Sequence, residues 1–353
     1  MKIGIPKEIK TLEGRVGLIP AACSALVAAG HEVYIENNAG DLSGYSNTDY
    51  QSSGVNILPD AQSVYATGDM IVKVKEPVGP ELNLLQSHHL LFSYLHLAAE
   101  TQLMEKLLEI GLTAVAFETV EERGLLPLLA PMSDIAGRLA TQIGTNLLHR
   151  PNGGKGLLLG GLPGAERGHV VIIGGGVVGG NAAIVAAGTG AQVTVFDRDR
   201  IKQERLRAIG PNVSALYPFP ELLSDAVSQA DLLIGAVLIT GEKAPHVISR
   251  DMLKNMAAGG VIVDVAVDQG GCIETTRPTT YADPTYVEED ILHFCVTNMP
   301  GAVPRSASQA LSASLLSHVL KLADADWRNN DALVKGINVD KGEITHPALK
   351  NLT

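Results

Sequence analysis

The stretch VVIIGGGVVGGNAAIVAAGTGAQVTVFD, Val170 to Asp197, carries the strongest structural signal in the chain. Val170 to Ile173 is a short apolar run of the kind that makes a fully buried parallel strand. Gly174, Gly176 and Gly179 follow in G-x-G-x-x-G spacing, and Ala182, Ala183, Val185, Ala186 and Ala187 then give a small-residue helix. A second apolar run, Val193 to Phe196, ends in Asp197. Each part has a physical task. Gly174 permits a tight turn, Gly176 lets a pyrophosphate approach a backbone without a Cβ, and Gly179 lets the helix lie close on the sheet. The helix N-terminus offers unpaired N–H groups and a partial positive charge. Asp197, about 20 residues beyond the turn, can accept both hydroxyls of a ribose. Among 37 glycines a lone G-x-G-x-x-G is weak; the preceding strand, the helix and the closing carboxylate make this one specific for a dinucleotide. The carboxylate repels a 2′-phosphate and so favours NAD, while Arg198, next in sequence, leaves NADP open.

At 353 residues the chain is long for one core, and two domains are expected. Hydrophobic residues at 46% and charged residues at 18% suit a well-buried α/β protein. A net charge of −11 argues against nucleic acid or an anionic membrane as partner. The three cysteines, Cys23, Cys272 and Cys295, fit neither a disulfide framework nor a zinc site, and they suit a reducing compartment. Nothing in the sequence requires a metal. MKIGIPKEIK lacks the apolar segment of a signal peptide. No run reaches the ~18 apolar residues of a membrane span, so a soluble, cytoplasmic protein is expected.

Strands are expected at Lys2 to Ile5, His31 to Glu36, Met70 to Val74, Leu90 to Leu95 and Thr113 to Phe117. Helices are expected from Pro20 to Ala29, with proline at the start and Gly30 at the end, and from Glu100 to Ile110. This alternation predicts a parallel sheet with right-handed crossovers. Ser133 to Leu148 reads as a connecting helix. Pro151 to Gly164 reads as a hairpin and loop, with no G-K-[ST] to make it a phosphate loop. Further strands are expected at Asp231 to Val237, at Val261 to Val267 and within Ile291 to Gly301. Helices are expected at Asp199 to Ile209, Glu221 to Gln229 and from Asp251. Ser306 to Leu322 carries Leu311, Leu315, Leu316, Val319 and Leu322 at helical spacing, and this helix is expected to return to the first domain with one short segment after it. The expected fold is α/β, with two Rossmann-like parallel-sheet domains separated by a cleft. Residues 1–129 with 303–353 are expected to form a substrate (catalytic) domain, and residues 130–302 an NAD-binding domain.

Ligands of open parallel sheets sit beyond the carboxyl ends of the strands. That rule selects Lys75 after MIVKV, His96 after LLFSYL, Asp268 after VIVDVAV, and Arg15 in the loop after the first strand. Each has a plain alternative. Ile71, Lys73 and Lys75 share a face by period two, so both lysines could line a solvated strand end. His96 could be a core-edge histidine and Arg15 a surface residue. The four facing one cleft carry more weight than any one alone.

The sequence also resembles the alanine dehydrogenases along nearly its whole length. The matching stretches are IGIPKE near the start, GRV at Gly14 to Val16, KVKEP at Lys73 to Pro77, YLHLAA at Tyr94 to Ala99 and PLLAPMSDIAGRLA at Pro127 to Ala140. IGAVL at Ile234 to Leu238, DVAVDQGGC at Asp264 to Cys272, RPTTY at Arg277 to Tyr281 and TNMPGAVP at Thr297 to Pro304 complete them. The resemblance implies an oxidoreductase that reversibly deaminates L-alanine to pyruvate and ammonia by hydride transfer to NAD. It implies that Arg15 and Lys75 bind substrate and that His96 and Asp268 are the catalytic pair. Besides Gly174, Gly176, Gly179 and Asp197, it places Ser133, Val177, Val178, Lys202, Val237, Leu238, Val265, Ala266, Val267, Arg277, Asn298 and Met299 at NAD. It also implies a homo-oligomer, commonly a hexamer, with the apolar C-terminal helices as a contact. By the same resemblance the chain is expected to end early by about 15–20 residues, which bears on C-terminal packing rather than on the site.

The residue types suit that reaction. Arg15 can hold a carboxylate bidentately. Lys75 is a movable point charge for the carboxylate or the carbonyl oxygen. His96 can carry protons near neutral pH, and Asp268 can orient water or ammonia, or stabilise a cationic imine. Two other readings share the architecture. One is the NAD(H)-binding subunit of a transhydrogenase, which binds no amino acid and does not need the Lys75 and His96 set. The other is a related amino-acid enzyme such as a lysine-ketoglutarate reductase, which needs more pocket charge.

Overall fold

The computed structural model describes residues 1–237 and 245–350. In chain order the strands are β1 (Lys2–Ile5), β2 (Glu32–Glu36), β3 (Asn56–Leu58), β4 (Met70–Val72), β5 (Leu90–Ser93), β6 (Thr113–Ala116), β7 (His169–Ile173) and β8 (Gln192–Phe196). They continue as β9 (Val213–Leu216), β10 (Leu232–Gly235), β11 (Val261–Asp264), β12 (Thr285–Glu288), β13 (Ile291–Phe294), β14 (Ile337–Asp340) and β15 (Glu343–Ile344). Two compact units hold them: Met1–Met132 with Gly301–Thr353, and Ser133–Pro300.

The sheet of the first unit runs β15-β14-β6-β5-β4-β1-β2-β3. From β6 to β3 every neighbouring pair is parallel. The strands are apolar and covered, as parallel strands must be: Ile3, Ile5, Val33, Ile35, Ile71 and Leu91 are all fully buried. Each such side chain contributes roughly 1.5–3 kcal/mol by leaving water. Strand order reverses at β1, which has β2 on one side and β4 on the other. That is where an open parallel sheet forms its binding crevice. The loop after β1 is held by the helix Pro304–Leu322, whose Ser308 and Ser312 hydroxyls accept the N–H groups of Val16 and Ile19 at 2.9 and 3.0 Å.

The sheet of the second unit runs β12-β13-β11-β10-β7-β8-β9 and is parallel except for the β12–β13 pair. Its reversal lies between β7 and β10. Val170 to Ile172, Leu232 to Ile234 and Val261 to Val263 are fully buried.

Both sheets carry antiparallel edges that the βα alternation did not predict. In the first, β14 pairs antiparallel with β6 across an irregularity between Ile337 and Val339, and β15 folds back on β14. So the chain after the long helix is not one short segment: it supplies two strands. Several strands also stop short of expectation, β6 at Ala116 and β10 at Gly235 among them. β4 stops at Val72, β5 at Ser93 and β11 at Asp264, and after β11 the chain enters a tight 3₁₀ turn, Val265–Gln269. Between β4 and β5 backbone pairing continues past those limits, with the Lys73 N–H donating to the Phe92 carbonyl at 3.2 Å and the Tyr94 N–H to the Val74 carbonyl at 3.1 Å, so composition overshoots the regular ladder rather than all pairing there. No helix among the described residues is long and apolar enough to cross a membrane.

Candidate active site

In the first unit the loops after β1, β4 and β5 carry Arg15, Lys75 and His96, so three neighbouring strand ends at the reversal present them. Arg15 is not a surface residue. It is 3% exposed, and its Nε and Nη2 donate to the two carboxylate oxygens of Glu13 at 2.7 and 2.5 Å. Nη1 lies 3.2 Å from the Met132 sulfur. Burial pulls the guanidinium pKa down, but the Glu13 pair outweighs it and the net shift is upward. Arg15 is therefore a fixed cation.

Lys75 Nζ lies 3.7 Å from Glu76 Oε2, and Lys10 pairs with the other oxygen of that carboxylate. Burial pushes the Glu76 carboxyl up, and the two ammonium groups more than offset it, holding it below the ordinary carboxylate range. Lys73 corrects the solvated-face reading: it is 1% exposed and lies between Glu8 and Glu81, each 3.2 Å away. Its partner Glu8 also accepts the backbone N–H of Val74 at 2.6 Å and, more weakly, that of Lys75 at 3.4 Å. Lys73 is thus the buried counter-ion of the carboxylate that sets the backbone from which Lys75 projects.

His96 is no core-edge residue either; its side chain is 43% exposed. Its backbone is left-handed, with φ +50°, a conformation that costs a non-glycine residue about 1–3 kcal/mol unless its surroundings hold it. Glu118 holds it, accepting the His96 N–H at 2.6 Å and the Leu95 N–H at 3.1 Å. The same carboxylate stands 4.0 Å from His96 Nδ1. The ring lies parallel to that of buried Tyr94, at 7° and 5.9 Å between centroids. Tyr94 is anchored through its hydroxyl to the Leu128 carbonyl at 2.6 Å. Glu8, Glu13 and Glu118 thus repeat one device: a carboxylate that fixes the backbone N–H of a candidate residue.

In the second unit the turn after β7 has the geometry a phosphate needs. Gly174 has φ +98°. A Cβ on Gly176 would meet no atom within 4 Å, and no side chain caps the helix Val177–Gly188. A Cβ on Gly179 would overlap the Gly174 carbonyl. The open space at Gly176 and the uncapped N–H groups fit a dinucleotide pyrophosphate. At the end of β8, Asp197 Oδ2 accepts the Gly175 N–H at 2.7 Å and Oδ1 the Asp199 N–H at 2.8 Å, with Lys202 Nζ 3.8 Å away. Asp197 therefore ties the glycine turn to the next strand besides facing solvent in part. Val177 is exposed, while Ser133, Val178 and Val237 are half-buried. Leu238 lies outside the described residues.

Asp268 is exposed, as a strand-end candidate should be, but it stands within the 3₁₀ turn rather than at the strand end. In the same turn Val265 is half-buried, and Ala266 and Val267 are buried. The strand ends instead in Asp264, which is fully buried. Exposed Arg277 stacks its guanidinium 4.0 Å over the Tyr286 ring, and its N–H donates to the Tyr286 oxygen at 2.9 Å. Asn298 is half-buried, and Met299 is buried with its carbonyl accepting from Tyr281. Sequence reasoning missed Glu8, Glu13, Glu118 and Asp264. The rule that found His96 would have found Glu118 and Asp264, since both follow or end apolar strands.

Two doubly wound sheets, one with a glycine turn at its reversal and an acidic residue ending the next strand, define an α/β protein of the dinucleotide-binding class. The models of two families match nearly the whole chain: "Alanine dehydrogenase/PNT, N-terminal domain" over residues 4–136 and "Alanine dehydrogenase/PNT, C-terminal domain" over residues 140–347. The chain is 46% identical to an alanine dehydrogenase of Halomonas elongata, covering 99% of this chain and 96% of that protein. It is 47% identical to one of Bacillus subtilis, covering 99% and 94%. A solved L-alanine dehydrogenase superposes with a TM-score of 0.97 at 49% identity, over 100% of this chain and 99% of that one. This chain belongs to the alanine dehydrogenase/PNT family. A transhydrogenase structure from Sinorhizobium meliloti, at 22% identity and a TM-score of 0.86 over 99% of this chain and 100% of that one, shares the fold.

Proposed function

We propose that the protein is an NAD-dependent L-alanine dehydrogenase, reversibly converting L-alanine, NAD⁺ and water to pyruvate, ammonium, NADH and a proton. The observation that carries this reading is the set Arg15, Lys75 and His96 on adjacent strand ends, in a chain 46–49% identical to proteins named for that activity. Residues 1–129 with 303–353 serve the substrate, and residues 130–302 serve NAD. Gly174, Gly176, Val177, Val178, Gly179, Asp197 and Lys202 hold the adenosine and pyrophosphate side. Ser133, Val237, Leu238, Val265, Ala266, Val267, Arg277, Asn298 and Met299 complete the NAD set. The nicotinamide, when bound, supplies the hydride acceptor.

The protein's own groups supply position, charge and proton transfer. Glu13 already occupies the Nε–Nη2 edge of Arg15, so the substrate carboxylate meets a shared guanidinium, and Lys75 supplies the second positive charge. This departs from a free bidentate clamp and leaves a neutral balance around Glu13, Arg15 and the incoming carboxylate once Lys75 is counted. His96 moves the proton of the carbinolamine hydroxyl as water adds to the imine and ammonia leaves. Asp268 orients the water and stabilises the cationic imine. The same reading places the protein in the cytoplasm as a homo-oligomer, a hexamer, acting on small molecules and requiring neither nucleic acid, membrane nor metal. NADH formation from NAD and L-alanine tests it, with NADP, glycine and lysine as controls. Turnover with L-alanine and NAD is expected; tight NADH binding without turnover in either direction would reject it.

A further inference from the structure

We propose that Asp264 is a positioning residue: its buried carboxylate closes the segment 265–277 into a ring and so fixes Asp268 and Arg277 for the reaction. The proposal rests on the roles given above to those two residues.

Asp264 ends β11 and is fully buried. Its Oδ1 accepts the Ala266 N–H at 2.9 Å, where the chain leaves the strand. Its Oδ2 accepts the Cys272 N–H at 3.0 Å, where the chain returns. The Thr276 hydroxyl lies 2.8 Å from the same oxygen, one residue before Arg277, and 2.7 Å from the Ile273 carbonyl. The Cys272 thiol lies 3.8 Å from Oδ1. One carboxylate thus touches both ends of the loop, and exposed Asp268 stands between its anchors. The return needs consecutive left-handed residues, and Gly270 and Gly271 supply them with φ +96° and +77°. Two glycines also clear the space: a Cβ on Gly235 would stand 2.5 Å from Oδ1, and one on Gly271 2.9 Å from Oδ2.

The chemistry is costly for a group serving only the core. Burial pushes the carboxyl pKa up, and only hydrogen-bond donors oppose it; among the described residues no cation pairs with it. An apolar residue would fill the volume without that cost. What an apolar residue cannot do is gather N–H groups from two chain directions and a hydroxyl onto one point.

The test compares D264N, D268N, the double variant and T276V in the full-length protein. D264N keeps the shape but turns an amide NH₂ toward groups that donate. We expect it to fold, to lower kcat by about ten-fold or more, to weaken NADH binding measured by fluorescence, and to leave the KM for L-alanine within about two-fold. In the D268N background the same change is expected to cost little further kcat, because Asp264 acts through Asp268. T276V, which removes one donor, is expected to give a smaller loss in the same direction, and it carries the test if D264N does not fold. Additive losses in the double variant, or wild-type kcat in both D264N and T276V, would overturn the proposal while leaving the catalytic reading intact. Wild-type kcat in D268N would instead reject the catalytic role of Asp268, and this proposal with it.

Discussion

His96 is held in a backbone conformation it would not choose, and the holding group is a carboxylate from the next strand end. Replacing Glu118 by alanine leaves the N–H groups of Leu95 and His96 without that acceptor. The expected result is a loss of about 1–3 kcal/mol in urea unfolding, together with a fall in kcat as the His96 backbone relaxes. Unchanged kcat would show that the left-handed backbone has no part in placing the ring. His96→Ala is expected to cost about 10²–10⁴ in kcat with NADH binding retained, and near-full turnover would remove the proton-transfer role. Lys75, His96 and Asp268 were legible because each closely follows an apolar run, a local signal, and Arg15 because it lies in the loop after the first strand. Their partners were not, since Glu8 lies 66 residues from Val74 and Glu118 lies 22 residues from His96. Only the strand order brings them together. Lys73 was misread for the same reason: period two gives the face of a lysine, not the two carboxylates that reach it from other segments.

At the scale of elements, the strand–turn–helix from Val170 was readable because its apolar run, glycine spacing and small-residue helix agree with one another. The strands β3 and β9 were not, being short and partly exposed, each with a polar residue, Asn56 or Ser214, in a run too brief to show a period. The glycine turn separates packing from ligand approach. Gly179→Ala places a Cβ against the Gly174 backbone carbonyl, which cannot rotate away, so it should destabilise the protein by about 1–3 kcal/mol. Gly176→Ala meets open space and should leave stability within about 0.5 kcal/mol while weakening NADH binding. Equal NADH affinity in Gly176→Ala and wild type would contradict a pyrophosphate at that turn. The segment after β4 gives a pH prediction. The folded pKa of Glu76 lies below the ordinary 4.5 because Lys75 and Lys10 outweigh its burial. Its stabilisation is therefore present above 4.5 and is lost as pH falls through the folded value. The stability gap between wild type and Glu76→Gln should be full at neutral pH and close below 4.5; a gap constant into the acid range would contradict the ion pairs.

For the molecule as a whole, length and βα alternation announced two parallel sheets, and the chain has two sheets that are parallel except at their antiparallel edges. The alternation could not announce the antiparallel strand β14, because its partner β6 lies more than 200 residues earlier in sequence, as the 227-residue separation of Thr113 and Asp340 illustrates; β15 pairs with β14 alone. The reversal of strand order in each sheet explains why the candidates collect where they do. Arg15 and Lys75 follow the strands on either side of one reversal, and the glycine turn and Val237 follow those of the other. In the proposed reaction hydride leaves Cα of L-alanine for NAD. This transfer is tested most directly with L-alanine deuterated at Cα. Deuterium is expected on the nicotinamide ring of the NADH formed, with pyruvate and ammonium in equal amounts. Pyruvate formed without label in NADH, or NADH bound tightly with no product in either direction, would contradict it.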